Sequence, residues 1–125
     1  MVGIVILNYN SWDDTRECIK SIQNAEQMLD YRIYLVDNCS PVRPDSEWLQ
    51  RIRQEGVQFI QNELNSGYSA GNNVGIRQAL ADGCDAVLIS NSDVRYEKDS
   101  ISKMYQYLQK NPKTGIVGPK IVLRD

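Results

Sequence analysis

The sequence predicts a doubly wound α/β domain, with a mostly parallel sheet and helices on both faces. Three observations predict it. Short, nearly continuous apolar runs recur along the chain, the pattern of strands buried on both sides. Segments with apolar residues at helical spacing lie between them. Asn, Asp and Ser fall just after the apolar runs, at the carboxyl ends of the expected strands, where open α/β sheets bind ligands.

The first strand is expected over Val2 to Leu7. The helix after it has Ser11 as a candidate cap and Asp13 and Asp14 in its first turn, with Trp12, Thr15, Cys18, Ile19, Ile22 and Ala25 at helical spacing. A second strand covers about Arg32 to Val36, and a loop runs from Asp37 to Pro44. Trp48, Leu49 and Ile52 mark a short helix, and Val57 to Ile60 a third strand. The stretch Ser69 to Asp82 reads as a helix rich in small residues, closed by Gly83 as a C-cap. A fourth strand, about Ala86 to Ser90, precedes a helix with Ile101, Met104, Tyr105 and Leu108 on one stripe, stopped by Asn111-Pro112. Gly115 to Val117 is expected to start a fifth strand. The last run, Ile121-Val-Leu123, is either an edge strand or the start of something longer. Strands separated by helices of this length imply right-handed βαβ units.

Size and composition bound the function. The 125 residues suit one domain, expected over 1–125 and cut short at its C-terminal end, and folding hides roughly two-thirds of the unfolded chain's surface. The net charge of −2, with basic residues scattered, argues against a nucleic-acid partner. No apolar stretch reaches the ~20 residues of a membrane span, and no basic leader precedes the first strand. The expected compartment is the cytoplasm, at the inner face of the membrane for a longer protein. Cys18, Cys39 and Cys84 are far apart, so neither a zinc site nor a disulfide framework is indicated. The absence of histidine removes Ser-His-Asp and Cys-His arrangements and histidine acid/base chemistry.

Four strand tips carry the candidate site: Asn8-Tyr9-Asn10, Asp37-Asn38, Gln61-Asn62 and Asn91-Ser92-Asp93. Asn, Asp and Ser are also common turn formers, so the tips alone do not decide. The segment from Asn65 to Gly75 adds Gly67, Gly71 and Gly75 across a loop and a helix start, which suits an anion site, with a close helix contact as the alternative. A GxGxxG dinucleotide fingerprint would follow the first strand, whereas these glycines follow the third. Asp93 can offer a carboxylate to Mn²⁺ or Mg²⁺, which take few protein ligands and complete their shell with phosphate and water, or it can cap the next turn. Tyr9 is a candidate base-stacking ring or a packed aromatic.

The blocks Val5-Ile-Leu-Asn-Tyr-Asn10, Val36-Asp-Asn-Cys-Ser40, Asn65 to Gly75, Leu88-Ile-Ser-Asn-Ser-Asp93 and Gly115-Ile-Val-Gly-Pro119 resemble, in order and spacing, the family 2 glycosyltransferases of the GT-A fold, with its Rossmann-like nucleotide-binding half. The flavour is that of bacterial rhamnosyltransferase-like enzymes of cell-surface polysaccharide synthesis. The resemblance implies that Asn8, Tyr9 and Asn10 hold the nucleotide, with Tyr9 near the base and Asp37 on the base or ribose. Asn38, Asn65, Gly67 and Gly71 would line the same pocket. It implies that Asn91 and Asp93 stand where the family has its DxD motif, with Asp93 contacting Mn²⁺ or Mg²⁺ and the diphosphate; here the first acid is replaced by Asn91. The donor would be a UDP-, dTDP- or GDP-linked sugar and the acceptor a saccharide or lipid-linked hydroxyl. The catalytic base is expected beyond Asp125, so the chain should bind donor without turning it over. A non-catalytic nucleotide-binding module is an alternative. So is a phosphoacceptor receiver domain, although that fold needs acids where Asn8 and Asn10 stand.

Overall fold

Strands and helices alternate through the computed structural model, which describes residues 1–123. They are β1 (Val2–Asn8), α1 (Trp12–Ala25), β2 (Tyr31–Asp37), α2 (Ser46–Gln54), β3 (Gln58–Gln61), α3 (Tyr68–Ala81), β4 (Ala86–Asn91) and α4 (Ser100–Lys110). The sheet is parallel throughout, in the order β3-β2-β1-β4. From β1 the chain steps to β2 and then β3 in one direction. It then returns through α3 to lay β4 on the other side of β1. This reversal between β1 and β4 is the switch point of a doubly wound sheet, which opens a crevice at the carboxyl ends of those two strands.

The side chains show why the helices divide between two faces. Ile4 and Ile6 of β1 and Ile33 and Leu35 of β2 point to a front core filled by Cys18, Ile19 and Ile22 of α1, Trp48 and Ile52 of α2, and Ile101 of α4. The alternate residues Val5, Tyr34 and Val36 point to a back core under α3, with Ala79 and Cys84. Only small residues let α3 lie as close as it does. A Cβ on Gly75 would stand 2.5 Å from Val5 Cγ1, and one on Gly71 2.7 Å from Leu7 Cδ1. Gly83, at φ +91°, ends the helix in the left-handed conformation expected of a C-terminal glycine.

Two local expectations are corrected. Ser11 occupies the N-cap position of α1, but its hydroxyl makes no cap bond and turns to the site instead. Gly115 to Val117 forms no strand, and Ile116 is 91% exposed. Handedness accounts for this. α4 packs on the front face, and a crossover leading outward from β4 over that face is left-handed, so it cannot deliver a parallel strand to the open edge. Ile121, Val122 and Leu123 are likewise exposed and unpaired. The residues that follow them, 124–125, lie outside the described part of the domain. No helix among the described residues is long and apolar enough to cross a membrane.

Candidate functional site

Register builds the site. Because the strands are parallel, their carboxyl ends share one edge, and Asn8 pairs with Asp37, which pairs with Gln61. These three polar residues form a row across the sheet that continues the front-face columns of Ile6, Leu35 and Phe59. A row of polar side chains at the top of an apolar layer needs internal partners, and the helix start and the loop after β2 supply them.

Asn8 is fully buried and every hydrogen-bonding position of its carboxamide is used. Its Nδ2 donates to Asp37 Oδ1 at 3.0 Å and to Ser40 Oγ at 3.3 Å. Its Oδ1 accepts from Ser11 Oγ at 3.0 Å and from Thr15 Oγ1 at 2.6 Å. Asp37 is as fully engaged. Oδ1 also accepts from Ser40 Oγ at 2.5 Å, while Oδ2 accepts from the Ser40 amide at 3.0 Å and from Gln61 Nε2 at 2.9 Å. Both residues sit in the expected site and shape its floor, leaving contact with a ligand to the exposed groups above them. Ser11 Oγ lies 3.0 Å from Ser92 Oγ, which ties the β1 tip to the β4 tip across the crevice.

Asn38 faces the other way, toward α3. Its Nδ2 donates to Asn65 Oδ1 at 3.0 Å and to the Gly67 carbonyl at 3.2 Å, and its Oδ1 accepts from Asn62 Nδ2 at 3.3 Å. Asn65 Oδ1 in turn accepts the Gly67 amide at 3.0 Å, so the loop into α3 is folded around two Asn side chains. Gly67 holds φ +91° at the N-cap of α3 and offers no side-chain cap. The amides of Tyr68, Ser69 and Ala70 therefore have no hydrogen-bond partner among the described residues, leaving the positive end of the α3 dipole open. Gly71, expected to line the pocket, is instead buried against Leu7 and Asn38 and acts through packing.

Tyr9 is 52% exposed at the β1 tip, its ring available to a planar ligand. Asn10 is exposed at φ +52°, and its amide donates to Ser40 Oγ at 2.8 Å. On β4, Asn91 is exposed and its Oδ1 accepts from Tyr68 Oη at 3.0 Å. Asp93 is exposed in the turn just beyond. Among the described residues no three His, Cys, Asp or Glu side chains cluster in a way that would hold a metal by themselves. Asp93 is thus the one carboxylate the β4 tip offers, a donor set that suits Mg²⁺ or Mn²⁺ only with a ligand's phosphates completing the shell. Burial pushes the Cys18 thiol above its usual range, so this cysteine beneath the crevice is no nucleophile.

Ser40, Thr15 and Tyr68 join this network although sequence reasoning did not single them out, whereas Gln61 was read as a strand-tip residue. Thr15 carried a signal: a polar residue on the buried stripe of α1 needs a buried partner. Asp37 and Ser40, three apart in a loop, carried another, the spacing of an Asp side chain that accepts a nearby backbone amide.

Comparison with known proteins gives three results. The family model described as Glycosyl transferase family 2 matches residues 3–122. The low-salt glycan biosynthesis hexosyltransferase Agl10 of Haloferax volcanii is 30% identical over 99% of this chain, and a dolichol-phosphate mannosyltransferase of Pyrococcus furiosus is 26% identical over 97% of it. The chain spans 38% and 33% of the length of those two relatives. Among solved structures, residues 1–349 of S. aureus TarS superpose with a TM-score of 0.74 at 20% identity, covering 95% of this chain and 38% of that one. That protein has also been solved in complex with UDP and with UDP-GlcNAc.

Proposed function

The chain belongs to glycosyl transferase family 2, and on that premise we propose that it forms the donor site of an enzyme that moves a sugar from a nucleoside diphosphate to an acceptor hydroxyl. The observation that carries this reading is that the Asn8–Asp37–Gln61 row, the Asn38–Asn65–Gly67 loop and the open α3 N-terminus share the carboxyl-end edge of the sheet, next to the β1/β4 switch point. Tyr9 stacks on the base. Asp37 and Asn38 hold the pocket walls against the base and ribose, and Asn10 and Asn65 reach the ligand from the rim. The α3 amides, presented through the Gly67 turn, take diphosphate oxygens. The hexosyltransferase and mannosyltransferase names of two relatives, and the UDP complexes of TarS, favour a UDP-, dTDP- or GDP-linked sugar.

Asp93 is the residue that would hold Mn²⁺ or Mg²⁺ together with the diphosphate. A divalent ion bound there supplies positive charge against the charge that develops on the departing diphosphate. The acceptor is a saccharide or lipid-linked hydroxyl of a cell-surface polymer, met on the cytoplasmic side. The base that deprotonates it lies outside these residues.

Calorimetric titration with UDP, GDP and dTDP, with and without Mn²⁺, tests the reading. One of them should bind, more tightly with metal. Asp37→Ala should weaken binding in both conditions, and Asp93→Ala should remove only the Mn²⁺ enhancement. Absence of binding by all three nucleotides overturns the donor site, and an enhancement that survives Asp93→Ala overturns the metal assignment.

A further inference from the structure

We propose that Tyr68 is a positioning residue that turns Asn91 into a hydrogen-bond donor, so that the β4 tip grips a phosphate oxygen directly as well as through a metal; this rests on the donor-site reading above.

Tyr68 is the first residue of α3, and its hydroxyl reaches across the crevice to Asn91 Oδ1 on β4. The bond joins the back helix to the last residue of the strand that leads into Asp93. A carboxamide is planar, so with Oδ1 held on the α3 side its NH2 group faces away from Tyr68. Nδ2 of Asn91 makes no hydrogen bond among the described residues, although an amide nitrogen has two protons to give. An Asn held in this way offers its two N–H protons to an anionic oxygen. The same residue that begins the uncapped first turn of α3 also fixes Asn91. The turn itself is braced from below. Asn72 Nδ2 donates to the Tyr68 carbonyl at 3.0 Å.

The consequence is a division of labour. Asp93 needs a cation before it can attract a diphosphate, since two negative groups repel. Asn91 needs none. Tyr68→Phe would leave the carboxamide free to rotate and to turn its oxygen toward the ligand.

The test follows Asn91 itself. Side-chain amide signals of ¹⁵N-labelled protein are recorded in wild type and Tyr68→Phe, then during UDP titration without metal. Tyr68→Phe should move the Asn91 NH2 signals before any ligand is added, and UDP should move them further in wild type. Metal-free UDP affinity should fall about fivefold in Tyr68→Phe, the scale of one oriented hydrogen bond. UMP, which lacks the second phosphate, should bind both proteins alike. Asn91→Asp should lose about tenfold or more without metal through charge repulsion and recover it with Mn²⁺. Unmoved Asn91 signals in Tyr68→Phe overturn the proposal. If UDP shifts Tyr9 and Asn65 but not the Asn91 side chain, the donor site stands and this inference falls. If UDP shifts nothing, the donor-site reading falls and takes this one with it.

Discussion

Asn8 and Asp37 are register partners on adjacent parallel strands, and the Asn8 carboxamide donates to Asp37 Oδ1 at 3.0 Å where neither residue meets solvent. The amide is the only group of its size that suits the position. It gives protons to the carboxylate and Ser40 while taking them from Ser11 and Thr15. Asn8→Asp would set two buried carboxylates side by side, at a cost of about 3 kcal/mol or more at neutral pH. Stability should partly return as the pH falls toward 5, because one proton shared between the two acids relieves the repulsion. Urea unfolding at pH 7 and pH 5 checks both the loss and its recovery.

The contact between α3 and the sheet makes a second prediction with two outcomes. Gly75→Ala places a methyl 2.5 Å from Val5 Cγ1 and 3.1 Å from Val36 Cγ2, side chains with no room to retreat. Overpacking of this kind costs about 1–3 kcal/mol. Gly71→Ala meets Leu7 Cδ1 at 2.7 Å and also Asn38 Nδ2 at 3.1 Å, so it should disturb the Asn38–Asn65 bond as well as the packing. Both variants should lower the urea midpoint, but only Gly71→Ala should weaken nucleotide binding at a urea-free, fully folded baseline. Gly115, whose added Cβ meets nothing within 4 Å, is the neutral control.

These contacts show what was legible in the sequence. Apolar runs and helical stripes report burial on one or both sides, so β1 to β4 and all four helices are readable, and with them the edge of the sheet where the site lies. Which way a residue in the site points is a matter of register and pleat, fixed by pairing between distant strands. Gly71 thus reads as a pocket glycine or a packing one until α3 is seen lying on Leu7. Tyr68 and Asn91 are 23 positions apart and share no local pattern. The fifth strand fails for a similar reason. Gly115 to Val117 has the apolar character of a strand, but strand formation needs a neighbour, and the face chosen by α4 withholds it.

α4 begins without a cap of its own, since Asp99 holds a left-handed conformation with no side-chain cap bond. Glu26, at the end of α1, replaces it. Its buried carboxylate accepts the Ile101 amide at 2.7 Å and the Ser102 amide at 3.1 Å through Oε1, and the Ser102 hydroxyl through Oε2. Glu26→Ala leaves these donors without a partner in a buried place and should cost about 2–4 kcal/mol. Glu26→Gln, which keeps one carbonyl oxygen, should cost less than half of that. Amide exchange at Ile101 and Ser102 should quicken in both, and in Glu26→Ala by the larger factor.

The last prediction concerns acid. Asp82, beyond the end of α3, accepts the buried Tyr34 hydroxyl at 2.8 Å, together with Gln78 Nε2 at 3.0 Å and Arg32 Nη1 at 3.3 Å. The Tyr34 bond, helped by Gln78 and Arg32, holds its carboxyl below the ordinary value of 3.8. A carboxyl depressed in the folded state contributes stability that is fully present above the unfolded value. As the pH falls through 3.8 the unfolded chain takes up protons first, and the contribution shrinks until the folded carboxyl is protonated as well. Tyr34→Phe removes the largest cause of the depression, so its urea midpoint should decline less steeply than that of wild type between pH 5 and pH 3. Arg32→Ala removes a smaller one and should flatten the decline less. Equal slopes in wild type and Tyr34→Phe would show that the Asp82 carboxyl draws nothing from this bond.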